Sequence, residues 1–362
     1  MFTIDFYSTG DDELCLLCEQ KLKQALEPWE QKIWGFLKLW LDPSVSEIGV
    51  HTSGSTGNPR LYLHTKACMI ASADATCRYL GIQQGQLALL ALPADKIGGI
   101  MMLVRSWLYK LPLCCIAPSA NPCRDIPFEQ PIVLAAFTPM QIVPVVESYE
   151  LFRKFESIKI VILGGSDVPR GLLQWLKNMT NRVYATFGMT ETVSHIALKK
   201  LNPPNDDPYF KLVPGIEIST DERGCLRITA PALNIINLQT NDVVLIKPEN
   251  GFEWLGRLDN VINSGGLKVH PEVLESDLKE AVMVPFFIAG VPDPATGEKV
   301  VMVIERDTIT EKELEVTRNY LQSLHQTFRP RQLLLTPRFL RTETGKIKRK
   351  ESLSRVDMRF DL

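Results

Sequence analysis

The sequence predicts an α/β fold in which a large N-terminal domain contains mostly parallel strands layered with helices. Short apolar runs bounded by glycine or proline alternate with helical patterns between residues 87 and 186, which is typical of βα units and a parallel sheet. Between residues 217 and 254 the pattern becomes hairpin-rich β-structure. The remaining ~100 residues carry strand and helix patterns of their own, enough for a small α+β domain.

Composition and charge narrow the class of protein. The 362 residues suggest two or three domains, and a hydrophobic content of 45% with a charged content of 23% is that of a soluble globular chain. A formal net charge of −2 gives no global attraction to nucleic acid or to an anionic membrane. No apolar run approaches the ~18 residues of a membrane span, and the acidic N-terminus is unlike a signal peptide. We therefore expect a cytoplasmic protein with neither a nucleic acid nor a membrane as partner.

The eight cysteines predict reduced, buried thiols. Cys114 and Cys115 are adjacent within an apolar run. Cys15-x-x-Cys18 has the spacing of a metal or redox motif, but no second Cys or His pair follows nearby. Because the motif lies in a helical pattern with Leu14, core packing is favoured over metal binding.

Local signals predict the elements around one polar loop. Glu47–His51 has the pattern of a short strand that leads into the loop. After the loop, Thr65 can cap a helix that runs to Leu80 and is stopped by Gly81.

The spacing of apolar residues predicts the other elements, beginning with an edge-like segment at the N-terminus and two helices separated by Pro28. The predicted helices cover residues 12–26, 29–41, 99–110, 140–147, 169–179, 272–281 and 310–324, and the predicted strands cover residues 87–92, 113–117, 132–137, 158–163 and 183–186.

The polar loop between His51 and Arg60 has the composition of a phosphate-binding loop. Its glycines allow tight turns that bring backbone N–H groups to a ligand, its hydroxyls add donors, and Arg60 adds a charge suited to a polyanion. The Gly-x4-Gly-Lys-Ser/Thr pattern of a Walker A loop is absent, and a plain polar surface loop is the alternative interpretation. The candidate phosphate-binding residues are Thr52, Ser53, Gly54, Ser55, Thr56, Gly57 and Arg60.

A second stretch, Tyr184–Thr192, follows a predicted strand and combines an aromatic ring, a glycine, hydroxyls and one carboxylate. Phe187 can stack on a planar base, Thr190 can bind a phosphate oxygen, and Glu191 can hold a Mg²⁺ that bridges phosphates. Just upstream, Leu163–Ser166 ends a strand with two glycines, where a ligand can approach the backbone closely.

These stretches resemble motifs of the AMP-forming adenylating enzymes, a family that includes acyl- and aryl-CoA ligases, carrier-loading adenylation domains and luciferases. Thr52–Arg60 resembles their phosphate loop, and Tyr184–Thr192 resembles their Tyr-Gly-Met-Thr-Glu-Thr signature. Six such motifs occur in the family's order over about 300 of the 362 residues, which makes the resemblance specific. The other four are Gln239–Asp242, Gly256–Asp259, Asn263–Pro271 followed by Glu275, and Thr342–Arg349.

The resemblance implies a fold and a chemistry. The implied fold is that of the adenylating enzymes, shortened at the N-terminus, with an ATP- and acid-binding domain over residues 1–257 and a mobile C-terminal domain over residues 258–362. The implied reaction joins a carboxylic acid to ATP as an acyl-AMP and then transfers the acyl group to CoA, with Mg²⁺ as cofactor. Positioned cations would stabilise the charge that builds up on phosphorus. A homodimer is left open.

The resemblance also implies the site. Thr190, Glu191 and Lys346 are the implied catalytic residues, with Glu191 as the metal ligand and Lys346 between the acid and the α-phosphate. ATP contacts are implied for the polar-loop residues named above and for Gly165, Ser166, Phe187, Gly188, Asp242 and Arg257. Gly265 and Gly266 are implied to line the CoA channel, and Asp259 is implied to be the hinge.

Some of these residues have plainer interpretations. Lys346 lies in a basic tail and could be a solvated lysine, but its Thr-x-x-Gly-Lys context favours catalysis. A structural histidine is the favoured interpretation of both His195 and His270, although His195 is close enough to the signature to line an acid pocket.

Two departures from the family pattern bear on the substrate. Arg60 stands where the family usually has lysine, and few residues precede the polar loop, so we expect part of the family's substrate wall to be missing or reduced. After Leu92-Pro93 comes a segment with Arg105 followed by Trp107, which resembles the o-succinylbenzoate–CoA ligases of menaquinone synthesis. Their substrate has two carboxylates, and Arg105 would hold the one that is not activated. The alternative places Arg105 on the exposed side of its helix.

The expected function is therefore an AMP-forming acid–CoA ligase for o-succinylbenzoate, with ATP, CoA and a small carboxylic acid as partners. Two alternatives remain open at this point. One is another aryl- or acyl-CoA ligase, or a stand-alone adenylation enzyme that loads a carrier protein. The other, from a different class, is a non-catalytic nucleotide-binding module.

Overall fold

The chain folds into two compact units. A computed structural model describes residues 1–51, 61–127, 131–204, 206–278, 284–322, 328–341 and 347–362, together with Val282 and Leu324. The first unit comprises residues 1–218, 228–238 and 247–252, and the second comprises residues 219–227, 239–246 and 253–362. The domain boundary that we expect after Arg257 stays a prediction.

The helices begin and end at local signals. The Thr65 hydroxyl accepts a hydrogen bond from the N–H of Cys68 at 3.2 Å, and Gly81 ends the same helix with φ of 71°, as predicted. In chain order the described helices are α1 (Asp11–Leu22), α2 (Pro28–Leu41), α3 (Lys66–Leu80), α4 (Ile97–Leu108), α5 (Pro139–Ile142), α6 (Tyr149–Glu156), α7 (Arg170–Leu176), α8 (Pro271–Leu278), α9 (Glu311–Gln322) and α10 (Arg349–Leu353).

The strands are short, with most of three to seven residues. In chain order they are β1 (Phe2–Ile4), β2 (Glu47–His51), β3 (Leu61–Thr65), β4 (Ala88–Leu90), β5 (Leu113–Cys115), β6 (Leu134–Phe137), β7 (Ile160–Leu163), β8 (Arg182–Gly188), β9 (His195–Lys200), β10 (Phe210–Leu212), β11 (Glu217–Thr220), β12 (Cys225–Ala230), β13 (Ile235–Lys247), β14 (Gly251–Arg257), β15 (Ile262–Ser264), β16 (Leu267–Val269), β17 (Phe286–Asp293), β18 (Gly297–Glu305), β19 (Gln332–Thr336) and β20 (Met358–Asp361).

The first unit is built on a mixed sheet with a parallel centre. Its strand order is β1-β5-β4-β6-β7-β8-β9-β10, and the pairs from β5 through β8 are parallel. The pair of β1 with β5 at the edge is antiparallel, as are the pairs of β9 with its two neighbours. The parallel centre agrees with the alternation of apolar runs and helices in the sequence. It also brings the carboxyl ends of β7 and β8 to the same edge of the sheet, where ligands bind in open α/β sheets.

The apolar core of this unit lies between the parallel strands and the helices that follow them. Buried residues of the strands pack against side chains of α6 and α7. Its members include Leu89, Ala135, Phe137, Phe155, Val161, Leu163, Leu172, Leu176 and Val183. All eight cysteines of the chain are free, and seven of them are buried, which agrees with the expected core packing.

The second unit contains a separate sheet with its own core. The strand order is β16-β15-β18-β19-β20, and β17 pairs with β18 along its whole length. Buried residues of α8 and α9 pack against this sheet, among them Leu274, Leu278, Leu314 and Leu321. This is the small α+β arrangement that the last part of the sequence predicts.

Three local predictions were wrong or incomplete. The single helix expected over residues 140–147 is α5 followed by a 3-10 helix over Val143–Glu147, because Pro144 has no N–H to continue an α-helical ladder. Helix α6 was missed although Ser148 caps it by accepting from the N–H of Leu151. Strand β9 was missed because it is buried along most of its length and so lacks a clear polar alternation.

Among the helices that the structure describes, none combines the length and the apolar character needed to cross a bilayer.

Candidate functional site

The turn after β8 holds the predicted metal ligand. β8 leads into one turn of 3-10 helix over Thr190–Thr192, and β9 then returns antiparallel. Thr192 is fully buried, and its hydroxyl accepts from the N–H of Met189 at 3.0 Å and donates to the carbonyl of Ser194 at 2.7 Å. These bonds fix the turn from its inner side, while Glu191 is exposed on the outer side.

Gly188, a predicted nucleotide-binding residue, lies directly against the returning strand. A Cβ atom at this position would be 2.4 Å from the carbonyl oxygen of Ser194 and 2.4 Å from the Cα of His195. Real Cβ atoms do not come so close to backbone, so the position accepts only glycine. The pairing of β8 with β9 shifts in register at the same point.

Two side chains of β3 reach the turn and were not predicted as site residues. The Tyr62 hydroxyl donates to Oε1 of Glu191 at 2.8 Å. His64 is buried beside the same turn. Burial lowers the pKa of His64 and outweighs the backbone of Thr190 and the charge of Glu191, which both act to raise it, so the ring is neutral at pH 7. The strand that follows the polar loop therefore contacts the turn that carries Glu191.

Two predicted segments lie outside the described residues. They are the polar loop Thr52–Arg60 and the tail segment Thr342–Lys346 that contains Lys346. The strands on either side of the polar loop pair with each other, and His51 is opposite Leu61. The roles assigned to the two segments stay predictions.

The segment after β7 lies beside β8, since the two strands are parallel neighbours. Gly165 has φ of 92°, a backbone conformation that favours glycine, and Ser166 is partly buried. On β8 itself, the Phe187 ring packs against Phe210 at 5.7 Å and Phe252 at 5.0 Å between ring centroids. Stacking of Phe187 on a nucleotide base stays a prediction.

Arg105 lies on the buried side of α4. It is 2% exposed, so the alternative that places it on the outer face of its helix is wrong. Its NH2 group donates to Oγ of Ser194 at 3.1 Å and is 3.5 Å from Oγ1 of Thr76, while NH1 is 3.9 Å from Sδ of Met102. Within the described residues its Nε has no hydrogen-bond partner, and the partners of its other nitrogens are all uncharged. Burial lowers the pKa of Arg105 to about 10, which leaves the guanidinium charged at neutral pH.

The neighbours of Arg105 form a hydrogen-bond chain in which the donor and the acceptor of each bond can be assigned. The Thr76 hydroxyl donates to the carbonyl of Ser72 at 3.0 Å, so toward Nε2 of His195, also at 3.0 Å, it can only accept. His195 therefore carries its proton on Nε2, and its Nδ1 is an acceptor 3.5 Å from Oγ of Ser194. Burial, together with the nearby charge of Arg105, lowers the pKa of His195 well below its usual 6.5. The histidine is thus a neutral, fixed tautomer.

A small cavity lies next to the hydrogen-bond chain that includes His195. Its volume is about 30 Å³, and it is lined by His195 and Ser72 together with Ala71, Ala75, Val213 and Gly215. A space of this size holds about two water molecules. An aromatic acid would need the surrounding side chains to move.

Asp242, the predicted ribose ligand in the second unit, is buried and held on both oxygens. Nε1 of Trp254 donates to its Oδ1 at 2.9 Å, and NH1 of Arg257 is 3.5 Å from its Oδ2. The backbone N–H of Asp242 donates to Oγ1 of Thr240 at 3.0 Å. The carboxylate is therefore oriented before any ligand binds.

The predicted hinge and CoA-channel residues also have defined surroundings in this unit. The exposed carboxylate of Asp259 accepts from NH2 of Arg257 at 3.2 Å and from Nδ2 of Asn241 at 3.4 Å. Gly265 and Gly266 form the two-residue turn between β15 and β16, both with positive φ. Such a turn is the one that Gly-Gly favours in a tight hairpin. Their predicted roles are not tested by this geometry.

Glu275, which follows the glycine turn, forms a bidentate pair with Arg349. The two N···O distances are 2.6 and 2.8 Å, and NH1 of Arg349 also donates to the carbonyl of Ile288 at 3.0 Å. Burial raises the pKa of Glu275, and the charge of Arg349 opposes that shift. The pair joins α8 to the start of α10.

The donor set suits a cation shared with phosphates. In the described ranges, no group of three or more His, Cys, Asp or Glu side chains is arranged to hold a metal. Glu191 offers one exposed carboxylate, and Tyr62 already occupies its Oε1. Mg²⁺ is usually held by one or two carboxylates plus substrate phosphates, so Glu191 fits that role.

Sequence comparison places this geometry in a known group. Residues 42–223 match the AMP-binding enzyme family. The chain belongs to this family. The matched region includes Glu191, Arg105 and the polar loop. Membership of the family therefore accounts for both the α/β fold and the signature.

Curated relatives share a modest part of the sequence. The 2-succinylbenzoate–CoA ligase of Escherichia coli K12 is 28% identical over 273 residues, and the enzyme of the same name from Listeria monocytogenes serovar 1/2a is 24% identical over 342 residues. These alignments cover 71% and 86% of this chain. They span only 58% of the length of the E. coli enzyme and 70% of that of the Listeria enzyme.

Solved structures show the same fold. An acyl-CoA synthetase (AMP-forming)/AMP-acid ligase II-like protein from Dyadobacter fermentans is 33% identical, with a TM-score of 0.66 over 98% of this chain and 99% of that one. The o-succinylbenzoate–CoA synthetase of Bacillus subtilis, solved with ATP and a magnesium ion, is 20% identical, with a TM-score of 0.68 over 84% of this chain and 69% of that one. The predicted adenylating-enzyme fold is thereby confirmed.

Proposed function

We propose that this chain is an AMP-forming acid–CoA ligase whose acid has a second carboxylate, as o-succinylbenzoate has. The general reaction is supported by membership of the AMP-binding enzyme family and by relatives named 2-succinylbenzoate–CoA ligase. The substrate class is supported by one observation above all, the buried and incompletely paired guanidinium of Arg105.

A buried cation needs an explanation because it is costly. The desolvation penalty of a charge inside a protein is several kcal/mol unless a counter-charge compensates it. The described partners of Arg105 are two hydroxyls and a thioether, and none is an anion. A substrate carboxylate would supply the missing counter-charge, and guanidinium binds carboxylates through paired, charge-assisted hydrogen bonds.

The neighbouring neutral histidine suits an anion site in a different way. Because His195 keeps its proton on Nε2 and adds no charge, the net charge at the site is that of Arg105 alone. The site is therefore matched to one carboxylate. The second carboxylate of the acid is free to react with ATP.

The remaining roles follow the family chemistry. The acid attacks the α-phosphorus of ATP, pyrophosphate leaves, and CoA then displaces AMP from the acyl group. Bound Mg²⁺ would neutralise phosphate charge, with Glu191 as its protein ligand and Thr190 beside the α-phosphate. In this proposal Thr52–Arg60 binds the outer phosphates, Asp242 and Arg257 bind the ribose, and Lys346 meets the acid.

The test is a pair of acids that differ only in the second carboxylate. With ATP, Mg²⁺ and CoA, o-succinylbenzoate should release pyrophosphate and form a thioester. The analogue 4-oxo-4-phenylbutanoate, which lacks the ring carboxylate, should react far less efficiently in kcat/KM. Equal use of both acids would contradict the anchoring role of Arg105, and thioester formation with neither would contradict the substrate class.

A second test separates the two half-reactions. Lys346→Ala should reduce acyl-AMP formation by about 10²- to 10³-fold, the usual loss for one preorganised charge. Transfer from supplied acyl-AMP to CoA should fall much less, since no charge builds on phosphorus in that step. Equal losses in both steps would contradict the assigned role.

The two alternatives predict different results in the same assays. A carrier-loading enzyme would release pyrophosphate but leave free CoA unacylated. A non-catalytic nucleotide-binding module would bind ATP but would not form acyl-AMP from any acid in a panel.

A further inference from the structure

We infer that Tyr62 is a positioning residue that orients the Glu191 carboxylate for a divalent cation. This inference rests on the proposed function, because it takes Glu191 as the metal ligand. It assigns a role to a residue that lies outside the six family motifs. The observation that carries it is the 2.8 Å hydrogen bond from the Tyr62 hydroxyl to Oε1 of Glu191, which joins positions 129 residues apart in the chain.

Glu191 needs such a partner because of where it lies. It is exposed, and it belongs to a 3-10 turn of only three residues. A free glutamate side chain loses up to about 2 kcal/mol of rotamer entropy when a ligand fixes it. A hydrogen bond that already holds one carboxylate oxygen removes part of that loss before the cation arrives, and it leaves Oε2 for coordination.

The fold gives Tyr62 a fixed position for this task. On β3, Tyr62 and His64 lie on the inner side of the strand, while Leu61 and Leu63 are exposed. Tyr62 is paired with Val50 across the hairpin, so its direction is set by the strand register. A slip of one residue would turn the ring to the opposite face.

His64 lies against the same turn at a second point. Its buried ring lies next to the backbone of Thr190, the residue before Glu191. Two side chains of β3, two residues apart on one face, are therefore next to the turn.

The experiment measures how strongly a cation increases ATP affinity. ATP binding by the full-length chain is followed by isothermal titration calorimetry with excess Mg²⁺ and, separately, with EDTA. Tyr62→Phe removes only the hydroxyl. It should reduce the Mg²⁺-dependent increase in affinity by about three- to tenfold, the range for one hydrogen bond of about 0.5–1.5 kcal/mol. ATP affinity in EDTA should be unchanged.

Two further variants make the result specific. Glu191→Gln should remove most of the Mg²⁺-dependent increase, and adding Tyr62→Phe to it should have no further effect, since the two groups act through one contact. Tyr109→Phe is the matched control, because the Tyr109 hydroxyl makes a similar bond, 2.9 Å to Oδ1 of Asp74, on the far end of α4. It should leave the Mg²⁺ effect at the wild-type value.

The outcomes distinguish the inference from the function on which it rests. If wild type and Glu191→Gln differ in Mg²⁺ dependence but Tyr62→Phe equals wild type, the positioning role is overturned and the proposed function survives. The positioning role would also be overturned if Tyr62→Phe reduced the Mg²⁺-dependent increase in affinity by the same factor in the Glu191→Gln background as in wild type. If wild-type ATP binding shows no Mg²⁺ dependence at all, the proposed function fails and the inference fails with it.

Discussion

Replacing Arg105 by methionine should separate stability from substrate recognition. Methionine has a similar length, fits the apolar side of α4 and removes the buried charge. The change deletes one good hydrogen bond, to Ser194 at 3.1 Å, and two long contacts. Against that loss, replacing even a paired buried ion by apolar side chains of similar volume is often neutral or stabilising by about 1–4 kcal/mol, and the described partners of Arg105 include no anion.

We therefore expect the free energy of unfolding of Arg105→Met to stay within about 1 kcal/mol of wild type or to rise, since the two effects have opposite sign. Recognition should change much more. Two charge-assisted hydrogen bonds to a carboxylate are together worth about 3–6 kcal/mol, which corresponds to about 10²- to 10⁴-fold in kcat/KM. This loss should appear for o-succinylbenzoate and not for 4-oxo-4-phenylbutanoate.

Urea denaturation and a continuous pyrophosphate-release assay measure the two quantities on the same protein. Arg105→Lys is the matched variant, since it keeps the charge and loses the paired geometry. Its kcat/KM for o-succinylbenzoate should lie between those of wild type and Arg105→Met. A variant that lost 3 kcal/mol or more of stability (on the order of the cost of breaking a buried ion pair) while keeping its preference for the diacid would refute the reasoning. In that case Arg105 would be a structural residue.

Three other predictions concern residues whose surroundings are described above. Because the folded protein holds His195 neutral, the unfolded chain binds a proton that the native state rejects; stability should fall by up to about 1.4 kcal/mol per pH unit as pH drops below about 6.5. Urea denaturation of His195→Gln should show a smaller slope between pH 7 and pH 5, and an unchanged slope would be inconsistent with the buried neutral ring. Trp254→Phe removes the donor to Asp242 and should weaken ATP binding about three- to tenfold without affecting 2′,3′-dideoxy-ATP; calorimetry with both nucleotides tests this, and equal weakening would argue against a contact to the ribose. Glu275→Ala removes the bidentate partner of the partly buried Arg349 and leaves it Glu272 at 3.6 Å and the Ile288 carbonyl; it should lower the free energy of unfolding by about 2 kcal/mol, and a change within 0.5 kcal/mol (roughly the scale of an exposed pair) would mean that the pair contributes no more than an exposed one.

The elements that could be predicted are those with complete local signals. Helix α3 has a capping threonine and a terminal glycine within 17 residues, and the structure confirms both. The parallel centre of the sheet followed from alternation alone. By contrast, the break between α5 and the 3-10 helix depends on the single missing N–H of Pro144, which a period count over eight residues cannot detect.

The site was less accessible to sequence reasoning, for a physical reason. The motifs point to residues that touch ligands, but the residues that orient them lie far away in the chain. Tyr62 precedes Glu191 by 129 positions, and Thr76 precedes His195 by 119. No local pattern encodes such pairs, since they exist only after the sheet has formed. For Arg105 the sequence left two interpretations, a carboxylate anchor and an exposed helix position, and its burial decides between them only once α4 has packed.

The contact at Gly188 has a consequence for any attempt to change the acid that the protein accepts. This glycine belongs to the nucleotide signature, yet the backbone packed against it carries Ser194 and His195. A larger side chain at position 188, on the nucleotide side, would displace the backbone of Ser194 and His195 on the acid side and disturb the pairing of β8 with β9. Variation in acid preference is therefore expected at the other residues around this region, such as Ala71 and Ala75 on α3, which line the cavity, and Arg105 on α4, which contacts Ser194. A directed-evolution library at those positions should give a larger share of active variants than one at Gly188.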